Sequence, residues 1–127
     1  MFDRPDVAAI MEALSCDEID QLPFGAIKLD KDDRVVFYSK REAIASGMGE
    51  RGQVGRDFFK DIAPCFATDE FLGLVAEARS APDFSMELYK IGDFADSEAE
   101  LHIRLFSTHD QALWMLIERE SDMVAAN

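Results

Sequence analysis

The sequence predicts an α+β domain: one five-stranded antiparallel sheet with short helices packed on one face and a helical cap at the amino end. Three observations carry that prediction. Residues 24–39, "FGAIKLDKDDRVVFYS", hold two β-prone runs joined by a turn rich in Asp and Lys, the pattern of a hairpin. Residues 40–80 then break into short helical pieces, and the last third returns to period-two alternation in three runs. A hairpin separated from a three-stranded meander by a block of helices folds most simply as one antiparallel sheet with those helices over a face.

Each element has a local cause. At the amino end Val7, Ile10, Met11 and Leu14 recur at helical spacing behind Asp3 and Pro5, which favour a helix start. Ser15 followed by Asp17 and Glu18 reads as the cap and acidic first turn of a second helix, closed at Leu22 and Pro23. These two helices, within residues 1–22, extend a core domain of residues 23–120, with 121–127 as a tail. After the hairpin, helical pieces are expected at Ser39–Ile44, at Arg56–Ala63 and from Asp69 onward, where Phe71, Leu74, Val75 and Ala78 share one face. In the strands that follow, Phe84, Met86 and Leu88 oppose Ser85, Glu87 and Tyr89. Leu101, Ile103 and Leu105 oppose Glu100, His102 and Arg104, and "ALWMLIE" makes a more buried third run. Turns fall near Gly92–Ser97 and Ser107–Asp110.

Composition narrows the function classes. A chain of 127 residues with 48% hydrophobic content and ten phenylalanines is sized for one compact core. No apolar run approaches the ~20 residues that span a bilayer. The acidic, amphipathic amino end also differs from a secretory signal, so a cytoplasmic protein without membrane contact is expected. Two cysteines, Cys16 and Cys65, make no disulfide framework. A formal net charge of −13 repels phosphate backbones and anionic lipid, because both are bound by exchanging counterions for Lys and Arg. No nucleic-acid partner is expected. A basic protein partner and plain solubility are the two readings of the charge.

The stretch that invites chemistry is "VGRDFFKDIAPCFATDEF", residues 54–71, where Cys65 follows a proline between two helical patterns. By residue type, Cys65 is either a small buried hydrophobe or an attachment point. Ser39-x-x-Glu42 fits a helix capping box, in which Glu42 would bond the Ser39 amide. Tyr38 ends a strand, a place for half-buried packing. The run Gly47–Gly52, "GMGERG", matches G-x-G-x-x-G but follows a short helix instead of a parallel strand, so it reads as a glycine loop and not as a dinucleotide site. His102 lies on the polar side of its strand and His109 in a turn, and neither is placed to activate Cys65, which argues against an enzyme.

The ordered set "LPFGAIKLD", Tyr38, Glu42, Ser46-Gly47, "VGRDFFKDIAPC" and "DEFLG" resembles the photoactive yellow protein family, blue-light receptors whose fold is the prototype of PAS domains. The likeness runs without gaps from about Leu22 to Gly73 and more loosely to Arg119, including His102 and Trp114. It implies a PAS fold and p-coumaric acid (4-hydroxycinnamic acid) held as a thioester on Cys65. It further implies that Tyr38 and a protonated Glu42 hydrogen-bond the chromophore phenolate, that Ser46 supports Tyr38, and that Ile27, Phe58, Ala63 and Met48 line the pocket. A carboxyl group buried beside an anion stays neutral and donates, because desolvation and like charge both disfavour its ionised form. The signal implied is isomerisation, proton transfer from Glu42 and partial unfolding, passed to a downstream signalling protein. A weak homodimer is the self-association left open.

The chain departs from that family's pattern in places. Met48 stands where the family usually has an arginine over the pocket, and Leu88, Lys90 and Phe94 stand where it typically has tyrosine, phenylalanine and methionine. The missing arginine removes a positive charge near the phenolate, which Lys90 replaces if its stem snorkels inward. Two other readings stand beside the photoreceptor. One is a chromophore-free PAS module that binds a small ligand or mediates dimerisation; the other is an enzyme with Cys65 as nucleophile.

Overall fold

The computed structural model describes residues 7–45, 54–82, 85–91, 100–108 and 111–119. Helices α1 (Val7–Ala13) and α2 (Cys16–Asp20) precede the hairpin of β1 (Gly25–Leu29) and β2 (Val35–Tyr38). Then come α3 (Lys40–Ala45), a π-helical turn (Phe58–Ile62), a 3₁₀ turn (Pro64–Phe66) and α4 (Asp69–Ser80). Strands β3 (Met86–Ile91), β4 (Glu100–Ser107) and β5 (Leu113–Arg119) complete one sheet in the order β2-β1-β5-β4-β3, antiparallel throughout. The hairpin therefore joins the meander through β1 and β5, with Gly25 opposite Ile117 and Leu29 opposite Leu113.

Local chemistry accounts for the ends of these elements. In the hairpin turn the Asp30 carboxylate accepts from the amides of Asp32 and Arg34 at 2.8 and 3.0 Å. Asp33 takes a φ of 66°, a left-handed position that aspartate tolerates. Ser15 and Glu18 close a reciprocal capping box on α2, the hydroxyl accepting from the Glu18 amide at 3.2 Å and the carboxylate from the Ser15 amide at 3.0 Å. Thr68 caps α4 by accepting from the Phe71 amide at 3.1 Å, ahead of Asp69 and Glu70 in its first turn.

The helix expected at Arg56–Ala63 is shorter and wider than the reading. It covers Phe58–Ile62 and closes with the Ala63 amide donating to the Phe58 carbonyl at 2.8 Å, a π-type bond. The reason lies in the side chains: Phe58, Phe59 and Ile62 are all buried, and a wider turn brings two adjacent phenylalanines inward together.

Two apolar clusters flank the sheet. On the inner face, Ile27, Leu29, Ile103, Leu105, Met115 and Ile117 pack against the π-turn, the 3₁₀ turn and α4. On the outer face, Val7, Met11 and Ile19 of the N-terminal helices pack against Ala26, Phe106, Trp114 and Leu116. On the polar side expected for β4, Glu100 is exposed but His102 and Arg104 are buried. His102 lies beneath Tyr89, which stacks on it at 4.5 Å between ring centroids, and Arg104 donates to the Ser85 hydroxyl at 2.9 Å. No helix among the described residues is long and apolar enough to cross a membrane. Phe84, Phe94, His109, the glycine run Gly47–Gly52, the turn at Gly92–Ser97 and the tail lie outside the described residues.

Candidate functional site

The site is organised by the start of α3. The Ser39 hydroxyl accepts from the amides of Ala26 (3.0 Å) and Glu42 (3.2 Å), while the Ser39 amide donates to the Ala26 carbonyl at 2.9 Å. These bonds lash the helix to β1 and turn Glu42 toward the sheet, where it is fully buried. Both of its carboxylate oxygens accept from Arg119, Nη1 to Oε1 at 2.7 Å and Nη2 to Oε2 at 2.8 Å. The Glu42 amide thus makes the Ser39 half of the capping box that Ser39-x-x-Glu42 offers, while its side chain meets a guanidinium.

A guanidinium carries only donors, so both Glu42 oxygens act as acceptors and the geometry is that of a carboxylate. The resemblance gives Glu42 a proton to donate; the structure adds a guanidinium partner, Arg119, on both of its oxygens. Arg119 was not singled out by the sequence reading. It closes β5 in phase with Met115 and Ile117, which face the inner cluster, and that period of two was the available signal. Gly25 supplies the remaining wall. A methyl group built there would collide with Oε1 of Glu42 and meet its Cβ and Cδ at 3.0 Å, so the close approach of β1 needs a residue without a side chain.

Beyond this pair the inner cluster is aromatic. Phe58, Phe59, Phe71 and Phe66 form a closed circuit of ring contacts, with centroids 5.1, 6.1, 5.2 and 6.0 Å apart around it. Ile27 and Ala63 are buried in the same cluster, and half-buried Tyr38 packs against it, as does Leu88. The 3₁₀ turn Pro64–Phe66 follows directly, held by bonds from the Phe66 amide to the Ala63 carbonyl and from the Ala67 amide to the Pro64 carbonyl, both 3.0 Å. The backbone of Cys65 is the middle of that turn, between exposed Pro64 and buried Phe66 of the cluster. A cavity of about 220 Å³ is lined by Thr68, Glu70, Phe71, Leu74, Leu88 and Tyr89, meeting the aromatic circuit at Phe71. Ser46 and Met48 lie outside the described residues, as does the side chain of Lys90. Tyr38 beside a wall of buried phenyl rings suits a flat aromatic molecule, and Glu42 and Arg119 add a buried pair of opposite charge.

The photoactive yellow protein domain of a sensor histidine kinase from Rhodospirillum centenum matches this fold with a TM-score of 0.71 at 22% identity, over 87% of this chain and 97% of that one. The architecture is that of a PAS domain. In sequence, the photoactive yellow protein of Rhodothalassium salexigens is 30% identical over 120 residues, covering 93% of this chain and 95% of its own length. That of Rhodobacter capsulatus is 32% identical over 101 residues, 79% of this chain and 82% of its own. The chain belongs to the photoactive yellow protein family. No family model matches it.

Proposed function

We propose that this protein is a cytoplasmic blue-light photoreceptor that carries p-coumaric acid as a thioester on Cys65 and signals to a downstream protein. The supporting observation is the position of Cys65, at the centre of a turn whose last residue, Phe66, and preceding residue, Ala63, are buried in the cluster against which Tyr38 packs. When bound, the group supplies visible absorption and a double bond that light isomerises. The chain's own residues do the rest. The Cys65 thiolate forms the C–S bond as the activating group of the acyl donor leaves with its electron pair. The phenylalanine circuit excludes water from the ring, and the Tyr38 hydroxyl donates to the phenolate oxygen. With the group bound, Glu42 would take up a proton beside Arg119, hydrogen-bond the same oxygen in the dark and give that proton up after isomerisation, with partial unfolding following. Residues 23–120 act as the sensor domain, with 1–22 as the cap that leaves it.

Mixing the protein with activated p-coumaric acid and recording an intact mass and a spectrum tests this directly. The mass should rise by one p-coumaroyl group and a visible band should appear. Cys65→Ala should abolish both, while Cys16→Ala should change neither. An adduct on Cys16, or undiminished colour in Cys65→Ala, would sink the proposal. A protein that takes up no p-coumaroyl group would instead be a PAS module serving another small ligand or dimerisation.

A further inference from the structure

Glu42 and Arg119 form a buried pair whose charges bear on any proton that moves through the site. We infer that Arg119 is a positioning residue for the photoreceptor reaction, a resident counter-charge that keeps the site neutral both before and after Glu42 releases its proton. The inference rests on the proposed function and deepens it.

Three observations support it. The contact is bidentate at 2.7 and 2.8 Å, and with Glu42 fully buried and Arg119 at 5% exposure, little water reaches the pair to screen it. Arg119 is aimed by the sheet itself: it lies opposite Leu101 in the β4–β5 ladder and in phase with inward-facing Met115 and Ile117. The backbone at Gly25 closes the carboxylate's other side, so the carboxylate is clamped between a strand and a guanidinium.

The charges then sum simply. With the proton on Glu42, the site holds a guanidinium, a phenolate and a neutral acid. The transfer breaks the Glu42 O–H bond and forms one at the phenolate oxygen, leaving a guanidinium, a neutral phenol and a carboxylate. The total is zero in both states. Without Arg119 it is one negative charge in both, and an uncompensated charge in a low-dielectric interior is costly. Arg119 supplies this cation from the end of a sheet strand. The proton therefore moves without stranding a bare carboxylate in the core.

The test uses Arg119→Gln and Arg119→Lys with two readouts. The first needs no chromophore. The infrared difference between the protein and its Glu42→Gln variant, at neutral pH, should lack a protonated-carboxyl stretch, and the same difference in the Arg119→Gln background should show one. The second uses reconstituted protein. Arg119→Gln should move formation of the coloured phenolate to higher pH by about one unit, a tenfold change in proton affinity, and Arg119→Lys by less. An arginine with a merely structural role would lower the stability of both variants and leave both readouts where they were, which overturns the inference. If Arg119→Gln does not fold, Arg119→Lys and the parent decide: a protonated Glu42 band in the chromophore-free parent refutes it, and its absence together with the Lys shift supports it. Failure of reconstitution would count against the photoreceptor reading alone, since the infrared arm still reports on the pair.

Discussion

On the inner face of the sheet Glu42 meets Arg119 with side-chain exposures of 0% and 6%; on the outer face Glu12 meets Lys28 at 3.0 Å with exposures of 38% and 23%. Glu12 also accepts from Trp114 Nε1 at 2.9 Å, and the Lys28 ammonium lies 5.3 Å from the centre of the Trp114 ring. The chemistry is the same in kind, a carboxylate with a cation, yet the two places differ in what water can do. Breaking one side of a buried pair strands a charge and costs about 3–5 kcal/mol. An exposed pair is worth only about 0.2–1 kcal/mol and weakens with salt. The outer helices are therefore held by the packing of Val7, Met11 and Ile19 and by a weak latch, while the inner face is locked. The N-terminal unit should open first, which hydrogen exchange of α1 against β5 would check.

Arg119→Ala probes the locked face and carries the largest expected effect, a loss of about 3–5 kcal/mol in urea unfolding that persists in 1 M salt. A loss below about 1 kcal/mol would erase the distinction between the faces. Gly25→Ala comes next: its methyl competes with the Glu42 carboxylate for space, which should cost about 1–3 kcal/mol, read as a lower melting temperature. A melting curve unchanged from the parent would mean the carboxylate has room to move.

On the outer face Glu12→Gln should cost about 0.2–1 kcal/mol at low salt and nothing measurable at 1 M. Hydrogen exchange should localise the change to α1, with β5 unaffected. The smallest effect belongs to Glu18. The Ser15 amide, and then the Ser15 hydroxyl, hold its exposed carboxyl below the usual glutamate range. A folded-state value lowered in this way adds stability above the unfolded value and loses it as pH falls through the folded one. Acidification below the ordinary glutamate range should therefore fray α2 in the parent but not in Glu18→Gln, followed by the exchange of the Ser15 amide.

The strands and their faces were legible because alternation in sequence is a direct image of a sheet's two sides, and Phe71, Val75 and Ala78 of α4 were legible for the analogous helical reason. Partners across the fold were not. Glu42 and Arg119 stand 77 positions apart, and nothing local to either names the other. The motif S-x-x-E at Ser15 and the same motif at Ser39 read alike. At Ser15 the carboxylate is exposed and returns to its own cap; at Ser39 it is buried beside a guanidinium, a stronger donor than an amide. The π-turn escaped because a reading based on 3.6 residues per turn has no place for adjacent Phe58 and Phe59 on one side. His102 and Arg104 alternate correctly, but alternation predicts a face and not whether Tyr89 and Ser85 will cover it.

The beginning of α3 is shared property. The Lys40 amide, first in that helix, donates to Oδ1 of Asp20, the last residue of α2, at 2.8 Å. The helix that carries Glu42 is therefore wired at its first turn to the segment that the outer face holds most loosely. Trimming residues 1–22 would remove an acceptor that α3 does not carry itself, so a shortened protein is not simply the same domain without its lid. The wire also conducts the other way: a displacement of α3 by a few tenths of an ångström lengthens the bond to Asp20 directly, by a route that bypasses the five strands between the faces.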